Sequence, residues 1–152
     1  MQVALIVSNL EAAALAAALR ADVVGIAADA ALPLPRNAAV WGAITARIGA
    51  RAYALHLTGR QSLTAAESVG WGIADLLVPA GADPLKWRGQ WVAGRSGLAL
   101  EVGAELIRHR GGDPLERAAF ARLFAAGEPQ QGLSAFLGKR KPIWRGTMND
   151  ER

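Results

Sequence analysis

The sequence predicts an α/β protein: a βαβ unit plus a third strand, followed by an all-helical C-terminal region. Three observations lead there. The runs "VALIV" near the start and "DVVGIAA" after Arg20 are short, apolar and β-branched, as buried strands are. Between them "SNLEAAALAAAL" is alanine-rich and opens with a helix-start signature. Strand, helix and strand within about 30 residues make a βαβ unit, whose strands pair in parallel. Beyond Pro79 the strand pattern stops, and the segments that follow carry helical spacing or helix caps.

The elements follow in order. "QVALIVS" is the first strand. Ser8 and Glu11 have the S-x-x-E spacing of a capping box, the hydroxyl accepting the Glu11 amide and the carboxylate accepting the Ser8 amide; this predicts a helix from Ser8 to about Arg20. Pro33 and Pro35 in "LPLPR" bar helix after the second strand. Asn37 then caps one helix through "AAVWGAITARIGARAYALHL", with Trp41, Ile44, Ile48 and Ala52 on one face. "TGRQSL" reads as a turn, Thr64 and Glu67 as a second capping box opening "AAESVGWG", and "IADLLVP" as the third strand. Asp83-Pro84 and Asp113-Pro114, the latter with Glu116 completing a box, begin helices in the second half. Helices are expected over 84–93, 97–110, 114–126 and 130–138, and the boundary falls near 80–83, dividing an α/β core at 1–80 from a helical region at 81–152.

Composition narrows the function. A chain of 152 residues suffices for one compact domain, and an apolar share of 52% argues against disorder. The net charge is +4, concentrated in "GKRKPIWRG", where Lys139, Arg140, Lys141 and Arg145 have no acid among them. Such a run is a solvated tail or meets a phosphate or acidic partner, and it is too short to argue nucleic acid. The absence of cysteine excludes disulfides, thiolate chemistry and zinc–thiolate sites. His56 and His109 are far apart with no metal-binding spacing, so no metal is expected. "MQVALIVSNLE" lacks a basic start and a cleavage site, and no stretch of about 20 residues is free of charge, so neither signal peptide nor membrane span is expected and a cytoplasmic protein is the default. Of the five tryptophans, Trp87 and Trp91 stand one helical turn apart, a stripe that belongs to a core or anchors an interface.

Three stretches, in the right order, resemble one family. "LTGRQSLTAAESVGWGIADLLVP" is similar to the crotonase pattern of LTGR, A-x-E-A, GLV and VVP. "QQGLSAFLGKRKPIWRG" resembles that family's C-terminal EG-x-x-AF-x-x-KR-x-P. "VALIVS" and "RADVVGIAADAAL" resemble its strand, oxyanion helix and following strand. The family comprises enoyl-CoA hydratases, isomerases and related acyl-CoA enzymes, so the resemblance implies a truncated crotonase-like core, matching the later part of a longer domain.

The resemblance also implies where chemistry would sit. Family members polarise a thioester carbonyl with two backbone amides, one from each half of the domain. The second lies in a Gly-Gly-Gly-type turn that aligns with Ala12, Ala13 and Ala14, placing Ala13 at the oxyanion position. Alanine keeps the amide but resists the close approach that glycine allows. The two acid–base glutamates of the hydratases align with Ala16 and with Arg36 after Pro35, and neither side chain exchanges protons near neutral pH. The loop after Arg36, Gly-rich in the family, is several residues shorter. Glu11, one turn before Ala16, is the nearby acid, with capping as its simpler role; Asp22 and Asp29 read as strand-end residues, and Arg60 and Glu67 as structural. By alignment Phe136 packs on the adenine of CoA and Lys139 pairs with its phosphate; the plain alternative is a core phenylalanine and a solvated lysine.

These readings predict a non-catalytic, crotonase-like partner subunit of an acyl-CoA-processing complex in lipid metabolism, a pseudoenzyme. The helical region 81–152 would serve oligomerisation, as a homo-trimer or beside a catalytic crotonase-like or other acyl-CoA enzyme subunit, covering the sheet edge that a partial domain leaves open. The runner-up is an active hydratase, isomerase or lyase whose site a second polypeptide completes. A CoA-binding or regulatory module is the third reading. A CoA thioester is the ligand considered, with no other cofactor.

Overall fold

The computed structural model describes residues 1–109 and 112–144. Thirteen elements follow in chain order: β1 (Val3–Ile6), α1 (Ala12–Ala18), β2 (Val23–Ala27), β3 (Ala31–Pro33), α2 (Ala38–Ile48), α3 (Arg51–Leu57), β4 (Ser62–Thr64), α4 (Ala65–Trp71), β5 (Leu76–Val78), α5 (Pro84–Val92), α6 (Gly97–Arg108), α7 (Asp113–Ala125) and α8 (Glu128–Leu137). The chain forms two compact units, Gln2–Arg88 and Gly89–Arg152 with Met1.

The first unit is built on a parallel sheet ordered β1-β2-β5. Val3 lies opposite Val23 and Ile6 opposite Ile26, while Gly25 lies opposite Leu76. The expected β1-α1-β2 unit is therefore present. Alternation along β2 sends Val24 and Ile26, both fully buried, to one face and Gly25 to the other. Ile6, Leu15, Leu19, Leu32, Val40, Ile44, Leu55, Leu63 and Ile73 complete a single core cluster with them. Burying each side chain of this size contributes about 2 kcal/mol, which is what holds so short a sheet.

Gly25 has a packing role. A Cβ there would lie 2.6 Å from Cζ2 of Trp87, so the indole rests directly on the strand backbone. Trp87 is brought there by α5, whose first turn is fixed by Asp83: its Oδ1 accepts from the Leu85 amide at 2.8 Å and the Lys86 amide at 3.3 Å.

A second tie joins the helices to the sheet. Arg47, in the last turn of α2, donates to the carbonyls of Leu19 at 3.3 Å and Ala21 at 3.1 Å and to Asp75 Oδ2 at 2.5 Å. Asp75 accepts from the Val24 amide with the same oxygen at 2.7 Å, and its own amide donates to the Val24 carbonyl at 2.7 Å.

Several elements differ from the sequence expectation. The Ser8–Glu11 box does not form. Helix α1 begins at Ala12, and Glu11 is its N-cap in extended conformation with no side-chain cap bond. Residues 7–11 are used to turn from strand to helix while Leu10 packs against the core, so Ser8 is not positioned as a cap. The single helix expected after Asn37 is two: Gly49, at φ +58°, ends α2, and α3 starts anew at Arg51. That positive φ is one glycine adopts without a Cβ clash. Part of "TGRQSL" is strand, because β4 pairs antiparallel with β3, Leu32 opposite Leu63. A two-stranded sheet consists of edges, which is where Pro33 is tolerated. The Asp113 box is also absent: Gly112 is the N-cap of α7, and Asp113 lies inside the first turn, 3.4 Å from Arg117. Asn37 and the Thr64–Glu67 box cap α2 and α4 as expected.

The second unit is helical, with α7 packed against both α6 and α8. Ser96 caps α6 through the Ala99 amide. The segment after α8 returns along it: Gln131 donates to the Ile143 carbonyl, and the Trp144 ring lies over Gly132 while its indole N–H reaches the Gly94 carbonyl at 3.0 Å. Arg145, counted in the basic run, lies outside the described residues.

Two substitutions check this packing. Gly25→Ala should lower stability by about 1–3 kcal/mol, because the methyl displaces the Trp87 ring; urea unfolding followed by tryptophan fluorescence reads it, and an unchanged midpoint would refute the close approach. Arg47→Ala should cost about 2 kcal/mol, since it leaves Asp75 and two carbonyls without their charged donor; thermal unfolding with Arg47→Lys as comparison tests whether the forked donor matters.

Candidate functional site

The chain runs straight from β3 into α2 through Leu34–Asn37, and this short connection shapes an open cleft of about 820 Å³. Pro33, Pro35, Arg36, Trp41, His56 and Arg60 line it. The Pro35 carbonyl accepts both the Asn37 amide at 2.8 Å and the Trp41 indole N–H at 3.0 Å, so the turn and the indole are held together. His56, on α3, meets Trp41 edge-on with ring centroids 4.7 Å apart. The break at Gly49 is what folds α3 back so that these rings touch. No acidic side chain lines the cleft among the described residues.

Arg60 closes one side through a fork: its two terminal nitrogens donate to Glu67 at 2.6 and 2.9 Å. Glu67 also accepts from the Thr64 amide at 2.8 Å and the Thr64 hydroxyl at 2.9 Å. The Arg60 guanidinium, then these Thr64 hydrogen bonds, hold the Glu67 carboxyl well below its ordinary range, at about 2. Arg60 and Glu67 thus have the structural role expected of them. Arg36 is exposed, and no partner for its guanidinium occurs among the described residues.

Within the first unit the positions singled out in the sequence are not gathered into one place. Arg36 lines the cleft; Glu11, Ala13 and Ala16 do not. Ala13 is exposed inside α1, and Ala16, 3% exposed, has its methyl in the core cluster. The Glu11 carboxylate is exposed at the start of α1, without a partner among the described residues. Asp22 Oδ2 accepts from the Gln2 amide at 2.6 Å, a strand-end role as expected. Phe136 and Lys139 belong to the other unit. Phe136 is 79% exposed, so it is not the core residue that the plain reading made it. Lys139 follows α8 at φ +47°, a left-handed position usually given to glycine, and its side chain is exposed. Sequence reasoning missed the Trp41–His56 wall, because nothing local links residues on two separate helices. Among the described residues no helix is long and apolar enough to cross a membrane, and no group of three or more metal-ligating side chains occurs.

No protein-family model matches the chain. No curated protein matches it. Solved structures do. The enoyl-CoA hydratase of Bacillus anthracis is similar at a TM-score of 0.73 and 23% identity, over 95% of this chain and 60% of that one. That of Polaromonas sp. JS666 gives 0.69 and 23%, over 95% and 60%. DspI of Pseudomonas aeruginosa gives 0.67 and 26%, over 86% and 56%. The fold is that of the enoyl-CoA hydratase/isomerase proteins, the crotonase superfamily. Among proteins of this fold the chain is a shorter form, spanning about 60% of the length of the B. anthracis and Polaromonas hydratases.

The Glu67 network has a pH signature. Folding lowers the Glu67 pKa, so its contribution is fully present above the unfolded value of about 4.3. It is lost as the pH falls through about 2. Titration of the Glu67 carboxyl by NMR should give a midpoint that rises toward the ordinary glutamate range in Arg60→Met; a midpoint unmoved by that substitution would remove Arg60 as the main cause.

Proposed function

We propose that this chain is a crotonase-fold subunit that performs no acid–base catalysis itself and packs beside a catalytic acyl-CoA enzyme. The observation that carries it is the pair of side chains at the positions aligned with the family's two glutamates: the core-buried methyl of Ala16 and the exposed guanidinium of Arg36. Adding water to an enoyl thioester requires a group that gives and takes a proton beside the substrate carbons. A methyl has no proton to exchange, and a guanidinium stays protonated.

The surface of the helical unit supports the partner role. Helix α7 buries none of its 13 residues. Phe120 and Phe124 pack with ring centroids 4.5 Å apart and the rings tilted, and both remain exposed, as do Ile107, Leu133 and Phe136. An apolar surface of this kind is what association covers. Phe136 and Lys139 are both available to a neighbour's ligand, with a CoA nucleotide the expected one.

One observation favours a second reading, an active acyl-CoA enzyme completed by another polypeptide. The Glu11 carboxylate is free rather than engaged in a cap, and so remains available as a base.

The purified chain alone should hydrate crotonyl-CoA no faster than a protein-free blank, and its native mass should rise above that of a monomer when a partner subunit is added; a stable, soluble monomer that takes up no partner would count against the proposal. Turnover by the chain alone at about 1 s⁻¹ or more, the range of ordinary enzymes, would overturn the proposal. Should activity emerge only with a partner, Glu11→Gln separates the readings: it abolishes activity if Glu11 is the base and leaves it unchanged if the partner supplies the chemistry.

A further inference from the structure

We infer that the cleft between β3 and α3 binds a small organic carboxylate with an apolar body, its carboxylate paired with Arg36. The assignment rests on the cleft alone and is independent of the partner-subunit reading.

Charge determines the ligand's head group. The cleft has two guanidinium groups and an imidazole on its walls and no carboxylate among the described residues. The two guanidinium groups are not equivalent. Arg60 has both terminal nitrogens on Glu67, so its charge is already balanced. Arg36 is exposed to the cleft with no partner among the described residues. The site therefore offers one unspent positive charge in a planar fork, which matches a carboxylate in two parallel hydrogen bonds. A phosphate dianion would leave a negative charge uncompensated.

Shape determines the rest. At about 820 Å³ the cleft is in the range that holds small molecules. Beside Arg36 its walls are the rings of Pro33, Pro35 and Trp41. The Trp41 indole cannot turn its N–H to the ligand, because that group is spent on the Pro35 carbonyl. It presents ring surface instead, and His56 props it from the side. An aliphatic chain lying on these rings would be removed from water while the carboxylate stays at the Arg36 rim. The geometry does not call for a reaction, and none is proposed.

The indole N–H of Trp41 is a built-in reporter. In the ¹⁵N-labelled 152-residue chain, with the resonance assigned through Trp41→Phe, hexanoate should shift it saturably at constant ionic strength. Arg36→Gln should weaken hexanoate binding about tenfold or more, the usual effect of losing a charged hydrogen bond. Arg36→Lys, which keeps the charge but loses the fork, should fall between. Because Arg36 is exposed, the rest of the spectrum should be unchanged in both variants, which separates lost binding from lost folding. Inorganic phosphate and chloride at the same ionic strength should give only an unsaturating drift. The assignment is overturned if hexanoate does not saturate, if Arg36→Gln binds as well as the parent, or if phosphate binds more tightly than hexanoate.

Discussion

Arg47 reaches from the end of α2 to three acceptors that belong to different parts of the chain: two carbonyls in the turn before β2 and the Asp75 carboxylate before β5. Asp75 in turn holds the Val24 amide at the start of the central strand. The parallel strands of this unit share no hairpin, since parallel neighbours need crossovers. Their register therefore depends on contacts made at their ends. A half-buried guanidinium with a fixed fork of donors can satisfy several such acceptors at once, which a lysine cannot. The core fills the space between helices and sheet, but apolar packing has no direction; this bridge specifies which strand end meets which helix.

The opposite face of the sheet carries a different constraint. Trp87 approaches β2 this closely only because residue 25 has no side chain. One glycine and one indole thus couple the central strand to the first turn of α5. The cost of a flexible residue in a strand, about 0.5–1 kcal/mol, is offset by burial of a large aromatic surface.

Two positions of the first unit have contrasting settings. At Ala16 the chain has an apolar contact in the core. At Arg36 it has a positive group on a cleft rim, and the connection beyond it is short enough that Asn37 caps α2 immediately. The first unit thus has a cleft whose walls carry guanidinium groups and no carboxylate among the described residues. The exposed aromatic and aliphatic residues of α7 and α8 leave the helical unit with apolar surface open to solvent.

The sequence by itself determined the βαβ unit, the third parallel strand, the helical character of the second half, the helix caps at Asn37 and Thr64, and the family resemblance. Each of these is written in neighbouring residues: period, capping spacing, short motifs. It misjudged α1, where S-x-x-E spacing was outweighed by the need to turn the chain after β1, and the α2–α3 helix, where Gly49 takes a left-handed conformation that apolar periodicity runs across unnoticed. Of the site, the residue types at positions 16 and 36 were legible, but not their setting. That Ala16 faces the core, that Arg36 faces a cleft walled by Trp41 and His56, and that Arg47 spans three segments are relations between residues far apart in the chain. Only tertiary structure decides these, because they depend on where the helices pack, and packing is set by the whole core at once rather than by any local run of residues.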